Sequence, residues 1–169
     1  MSEQLPIPLP ATEFREVMAA VATPVSVVTT MAGGVPHGTT VSAFTSLSMD
    51  PPSVLISLAR ASNLLHRIRE TRRFGLNVLA STQAALATRF ASKCDDRFQD
   101  VDWALDHGSA RLRGAANWLA CHVTDLLDGG DHIIVLGRVM AADSSAEAPL
   151  VYYRRAFGTH QTIETARAA

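Results

Sequence analysis

Trp118-Leu119-Ala120-Cys121-His122-Val123-Thr124-Asp125-Leu126-Leu127, then Asp128-Gly129-Gly130, then Asp131-His132-Ile133-Ile134-Val135-Leu136-Gly137-Arg138-Val139-Met140-Ala141-Ala142 is the stretch that decides the fold class. Two β-like apolar runs flank a turn rich in Asp and Gly, which predicts one long antiparallel hairpin. Working outward, Val25–Met31 is rich in β-branched residues, and Ala32-Gly33-Gly34 turns it into a second run, Pro36–Leu47. Asp50-Pro51-Pro52 then turns the chain into the apolar strand Ser53–Leu58. Phe74–Leu79 and Leu150–Tyr153 read as further strands.

Helical signals are fewer. Phe14, Val17, Met18 and Val21 fall at i, i+3, i+4 and i+7 within Thr12–Thr23, with Thr12 as the N-cap. Ser62 caps a short helix carrying Leu64, Leu65 and Ile68, and Ser81 caps another that runs to Ala91. The stretch Ser92–Ser109 reads as a surface loop. About six or seven strands joined as antiparallel hairpins predict a mainly β (α+β) fold, a closed or nearly closed barrel with peripheral helices. No second-domain linker is visible, so residues 1–169 read as a single domain with an N-terminal arm at 1–11 and a frayed tail at 159–169.

Composition narrows the function classes. The 169 residues carry 15 basic and 16 acidic side chains, a formal net charge of −1, which argues against a domain that binds nucleic acid by neutralising phosphates. No run approaches the roughly 20 apolar residues of a membrane span, and the N-terminus lacks a secretory pattern, so the expectation is a cytoplasmic protein. At 18% charged residues and a mean hydropathy of +0.12, part of the surface is expected to be covered by a second subunit. Cys94 and Cys121 have neither metal-ligand nor redox-pair spacing; Cys121 reads as a core residue and Cys94 as a loop thiol.

Three stretches carry candidate chemistry. Gly38–Ser48 is dense in hydroxyls; as one strand it would place Thr40, Ser42 and Phe44 on one face, either as an ordinary Thr/Ser strand or as an edge offered to a flat polar ligand. Ala59-Arg60-Ala61-Ser62-Asn63 opens a helix, where free N–H groups suit a phosphate with Arg60 and Ser62 as added donors, unless Ser62 only caps its own helix. Gly129-Gly130-Asp131-His132 is either a plain hairpin turn or a site for His132 beside a reacting group, with Asp131 pointing the opposite way. Lys93, the single lysine, either meets a phosphate or solvates a loop. Neither a G-x-G-x-x-G nor a P-loop pattern occurs, so any nucleotide is held by another device.

Taken in order, Thr39–Ser48 with Asp50-Pro51-Pro52, Asn77-Val78-Leu79, Leu86–Ala91, Gly130-Asp131-His132 with Gly137 and Val139, and Pro149–Tyr153 resemble the flavin reductase family of FMN-binding split barrels. Its members include the reductase components of two-component flavin-dependent monooxygenases. The resemblance implies an antiparallel split β-barrel, a homodimer, and NADH (or NADPH) reduction of FAD or FMN by hydride transfer to flavin N5, with reduced flavin passed to a partner monooxygenase. It implies cofactor contacts at Thr39, Thr40, Val41, Ser42, Ser46, Ser48, Ala59, Arg60, Ser62, Asn63, Phe90, Ala91, Ser92, Lys93 and Tyr153, with His132 on the nicotinamide side. Ser62-Asn63-Leu64 departs from the Ser-x-Thr of many relatives. The competing readings are a flavin- or haem-binding split-barrel protein without turnover and an enzyme like pyridoxamine phosphate oxidase.

Overall fold

The computed structural model describes residues 9–94 and 96–163. In chain order the elements are α1 (Ala11–Ala19), β1 (Thr23–Pro24), β2 (Ser26–Ala32), β3 (Val35–Val41), β4 (Phe44–Met49), β5 (Pro52–Ala59), α2 (Asn63–Thr71) and β6 (Arg73–Val78). After a 3-10 turn at Ser81–Gln83 come α3 (Ala84–Ala91), β7 (Trp103–Asp106), β8 (Ser109–Leu112), β9 (Asn117–Gly129), β10 (His132–Ser144), β11 (Leu150–Tyr153) and β12 (Ala156–Thr159). The fold is mainly β, antiparallel, with few helices.

The predicted long hairpin is β9 and β10, 13 residues each, turning through Gly130 and Asp131 with Gly130 at φ 72°. It occupies the middle of a seven-stranded antiparallel sheet ordered β3-β2-β6-β9-β10-β5-β4. The two edge strands, β3 and β4, are consecutive in the chain and joined only by Ser42 and Ala43. Seven flat strands would hold their edges about 29 Å apart, whereas the three peptide steps from Val41 to Phe44 reach at most about 11 Å. The sheet must therefore curl until its edges approach. The run expected to alternate continuously from Thr39 to Phe44 is broken here: Phe44 N–H donates to the Ser42 carbonyl and Ser57 N–H to the Ala43 carbonyl, so Thr40, Ser42 and Phe44 do not share one strand face.

Two apolar clusters flank the sheet. One gathers Val28, Ile56, Phe74, Leu76, Val123 and Val135 with Leu64, Leu65 and Ile68 of α2. The other packs Val25 and Val27 against Ala87 and Phe90 of α3 and Leu112 of β8. Covered on both sides, β2 is buried continuously from Ser26 to Thr30 instead of alternating. Asn77, fully buried, ties β6 to its neighbours: its Nδ2 donates to the Val27 carbonyl at 3.1 Å and the Ala110 carbonyl at 3.2 Å, and its Oδ1 accepts from Leu112 N–H at 2.8 Å.

Several expectations are corrected. Within Ser92–Ser109 lies most of the β7–β8 hairpin, and a final strand, β12, follows β11 and takes in Thr159. Both hairpins turn through two left-handed residues, His107-Gly108 and Arg154-Arg155, which lack the Asn-Gly or Asp-Gly signature of such turns. The first helix is α1, shorter than Thr12–Thr23, with Pro10 rather than Thr12 at its N-cap position. Ser81 belongs to the 3-10 turn, whose start is held by Gln83 Oε1 accepting from Ala80 N–H. Residues 1–8 of the arm and 164–169 of the tail lie outside the described residues.

Phe14, Val17 and Met18 lie within α1 while Val21 falls beyond its end, and all four are 45–62% exposed. Among the described residues, the Arg154 N–H donates to the Ala19 carbonyl and Arg155 pairs with Glu16, fastening α1 to the β11–β12 hairpin.

The two thiols divide as expected: Cys94 is exposed and Cys121 buried, its thiol pushed up to about 12 by burial. Iodoacetamide at about pH 8 is expected to alkylate Cys94 in the folded protein and Cys121 only after denaturation, read by peptide mass mapping. Native labelling of Cys121 would contradict its burial.

Candidate functional site

Two cavities adjoin the edge strand β3. The first, about 530 Å³, is walled by Pro36, His37, Gly38 and Thr39 of β3, by Ala61–Leu64 at the start of α2, and by Lys93, Cys94, Arg97 and Phe98 after α3. The second, about 590 Å³, lies among Thr40 and Ser42, Ala87, Thr88, Ala91 and Ser92 of the α3 region, and Tyr152, Arg155 and Phe157 of the β11–β12 hairpin. Thr39 belongs to one and its neighbour Thr40 to the other, so β3 and the end of α3 form a common wall.

That wall is fastened by hydroxyls. Thr39 Oγ1 donates to the Phe90 carbonyl at 3.3 Å and Thr40 Oγ1 to the Ala87 carbonyl at 2.7 Å. Each hydroxyl spends its proton on α3 and keeps acceptor capacity for a ligand. Val41 and Phe90 are buried, with the Phe90 ring lying where a Cβ on Gly38 would come within 3.0 Å of it. Ser92 Oγ donates to the Arg89 carbonyl and accepts from Cys94 N–H, which shapes the turn that delivers Lys93 to the first cavity.

The first cavity is cationic. Lys93 and Arg97 line it together with the N-terminus of α2, whose free amides carry partial positive charge. Ser62 caps that helix, its Oγ accepting from Leu65 N–H at 3.4 Å, which leaves the hydroxyl proton available to a ligand. Arg97 Nη1 donates to the Gly38 carbonyl at 2.8 Å, while its buried Nε has no hydrogen-bond partner among the described residues. His37 is held below its ordinary pKa by burial and by Arg67, against smaller opposing effects of the Ala32 main chain and Glu70.

Other sequence candidates fall outside both cavities. Ser46 is exposed on β4, and Ser48 donates to the Asp50 carbonyl. Tyr153 is exposed beneath Arg154, whereas its neighbour Tyr152 lines the second cavity. Ala59 pairs with His132 in the β5–β10 ladder. Arg60 is engaged at that corner, Nε to the Gly130 carbonyl at 2.7 Å and Nη2 to Asp128 at 2.8 Å. Asp131 sits in the turn rather than in the strand, so instead of pointing away it meets His132 Nδ1 at 2.8 Å, and this bond holds its carboxyl below the usual range. With Nδ1 tied, the imidazole's Nε2 is the nitrogen left for a ligand.

His37, Arg97, Phe98, Tyr152, Arg155 and Phe157 are wall residues that the sequence alone did not single out. His37 immediately precedes the hydroxyl run and was within reach of a local reading. Arg97 and Phe98 lie in an irregular segment, and their convergence on β3 is a tertiary fact.

The domain is mainly β, with a cation-lined cavity and an apolar-walled one against β3, an arrangement able to take a ligand with an anionic part and an apolar part. In comparison with known proteins, the flavin reductase like domain matches residues 18–161. The chain belongs to the flavin reductase family. It is 40% identical over 158 residues to the reductase component of 4-nitrophenol 4-monooxygenase/4-nitrocatechol 2-monooxygenase from Rhodococcus opacus, covering 94% of this chain and 85% of that one. It is also 40% identical over 148 residues to a probable flavin reductase of Rhizobium meliloti, covering 86% of this chain but only 48% of that protein's length. Among solved structures, the NADH:FAD oxidoreductase SgcE6 of Streptomyces globisporus, in complex with NAD and FAD fragments, superposes with a TM-score of 0.85 at 32% identity, covering 99% of both chains.

Proposed function

We propose that this protein is an NADH-dependent flavin reductase that supplies reduced FAD or FMN to a separate flavin-dependent monooxygenase, with NADPH as a possible alternative donor. The observation that carries the reading is the pairing on β3 of a cavity lined by Lys93 and Arg97 with an apolar-walled cavity edged by Thr40 and Ser42. The two ends match a flavin's phosphate-bearing tail and its tricyclic ring. Relatives named as a flavin reductase (NADH) from Kitasatospora aureofaciens and as monooxygenase reductase components support the reaction class.

The bound flavin supplies the hydride acceptor, so the protein needs no nucleophile or strong acid of its own. Ser62, Asn63, Lys93 and Arg97 hold the anionic tail. Thr39 lines the tail's cavity with them, while Thr40, Ser42 and the outward main chain of β3, which pairs only with β2 among the described residues of the sheet, would face the ring edge. Tyr152 and Phe157, with ring centroids 5.3 Å apart, and Ala91 exclude water from the ring. His132, oriented by Asp131, stands at the strand end that leads through Ala59 and Arg60 to the Ser62 wall and positions the nicotinamide.

The reading takes residues 1–169 as one domain working as a cytoplasmic homodimer. The exposed α1 face is apolar surface of the kind a subunit contact covers, and a curled sheet whose neighbouring edges share no ladder among the described residues fits a split barrel. No helix among the described residues is long and apolar enough to cross a membrane.

The test is an anaerobic assay crossing riboflavin, FMN and FAD with NADH and NADPH, followed by bleaching of the oxidised flavin band near about 450 nm. Flavin that binds but stays oxidised with both donors would instead favour a binding protein without turnover. His132→Ala is expected to lower NADH-dependent kcat/KM by about tenfold or more, roughly 1.4 kcal/mol of transition-state stabilisation, with flavin Kd changed less. An unchanged kcat/KM would remove His132 from the site.

A further inference from the structure

His37 lines the first cavity beside Gly38, whose carbonyl Arg97 holds, and opposite the residues that open α2. We propose that Arg97 and His37 together bind the anionic tail of the flavin, Arg97 as a permanent charge and His37 as a charge acquired with the ligand, so that flavin binding takes up a proton. This rests on the reading of the cavity as the flavin's.

The groups around His37 explain why its charge depends on the ligand. From α2 it faces Arg67 and Glu70, which pair with each other at 3.3 Å; from the segment after α3, Lys93 and Arg97 share its cavity; β2 contributes the uncharged Thr30 opposite it in the ladder. Burial and Arg67 disfavour imidazolium, so without ligand His37 is neutral near neutral pH. A phosphate in the same cavity reverses the balance, because it offers His37 and the lining cations Lys93 and Arg97 an opposite charge. The pKa of His37 is then higher in the complex than in the free protein. Affinity rises as pH falls through the bound-state value and levels off below the free-state value.

FAD is the right probe, because its pyrophosphate and ring do not titrate near neutrality, whereas the FMN monoester has a second pKa of about 6. Dissociation constants of FAD, riboflavin and NAD+ are measured from about pH 8 to about pH 6 on the full chain and on His37→Gln. FAD affinity should rise about three- to tenfold over that range in the unaltered protein, with proton uptake visible as a buffer-dependent binding heat. Riboflavin should change less than about twofold, and His37→Gln should hold FAD with no slope, near the high-pH affinity of the unaltered protein. Arg97→Gln should weaken FAD at every pH while preserving the slope and the riboflavin affinity.

Equal FAD slopes in His37→Gln and the unaltered protein, or an equal slope for riboflavin, would overturn the inference while leaving the reductase reading intact. A slope confined to NAD+ would assign the cavity to the nicotinamide nucleotide and also overturn it. Failure of all three flavins to bind or be reduced would remove the reductase reading and this inference together.

Discussion

Asn77→Leu is expected to cost about 3–5 kcal/mol of stability, among the largest single-site losses in this chain. Asn77 is fully buried, and its amide serves the Val27 and Ala110 carbonyls and the Leu112 N–H, with Thr29 Oγ1 at a longer 3.4 Å from Nδ2. Leucine keeps the branched outline but its methyl groups are bulkier than the amide, so it crowds the fully buried site while the main-chain groups of β2 and β8 lose their partner without water access. Each stranded group costs about 1–3 kcal/mol, and the added apolar contact offsets only part of it. At this chain length the loss corresponds to a fall in Tm of roughly 8–15 °C. A fall below about 2 °C in a calorimetric scan would mean that the network is dispensable. Leu112 sits in the same cluster as Phe98 and Trp103, whose rings stack edge-on at 5.9 Å, so the variant should also loosen the segment that carries Arg97.

Gly137→Ala is expected to destabilise by about 2–3 kcal/mol through overpacking. A Cβ at Gly137 would stand 2.5 Å from Cζ and 2.6 Å from Cε1 of Phe74, and 3.1 Å from Cβ of Cys121. The Phe74 ring is 1% exposed and has no room to retreat. The strain falls on the β9–β10 hairpin where its register already shifts between Leu136 and Gly137, upstream of which lies His132. Phe74→Leu should be destabilising alone through a cavity, yet the double variant should recover at least about 1 kcal/mol relative to the sum of the single changes. Additive losses in urea unfolding would show that the two positions do not meet.

Much of the architecture was legible because its signals are local. Val25–Met31 and Ser53–Leu58 carry their own β propensity, the Asp- and Gly-rich turn of the long hairpin its own turn chemistry, though it falls at Gly130-Asp131 with Asp128 and Gly129 in β9, and Ser62 caps α2 with its own side chain. The β7–β8 and β11–β12 turns were not legible: His107-Gly108 and Arg154-Arg155 adopt left-handed conformations that residue type does not announce. The break at Ser42 and Ala43 was equally hidden, since a hydroxyl-rich run reads as continuous whether or not a sheet ends within it.

The candidate site divides in the same way. Thr39, Ser62, Asn63 and Lys93 converge on one cavity, and Thr40, Ser42, Ala91 and Ser92 on its neighbour. Ser46, Ser48 and Tyr153 share the motif runs but face elsewhere, and Arg60 is already engaged by Gly130 and Asp128.

From residue order alone followed the antiparallel β class, the two central hairpin strands, the capped helix at Ser62, the buried state of Cys121 and a family resemblance borne by short motifs. These rest on spacing and propensity, which act between residues close in the chain. Tertiary structure decided which residues share a cavity. A sheet of seven strands whose edges are joined by two residues must curl, and non-local pairing brings His37, Ser62 and Arg97 around one cavity of about 530 Å³. No local pattern encodes that meeting, because it depends on where non-local strand pairs place the chain in space.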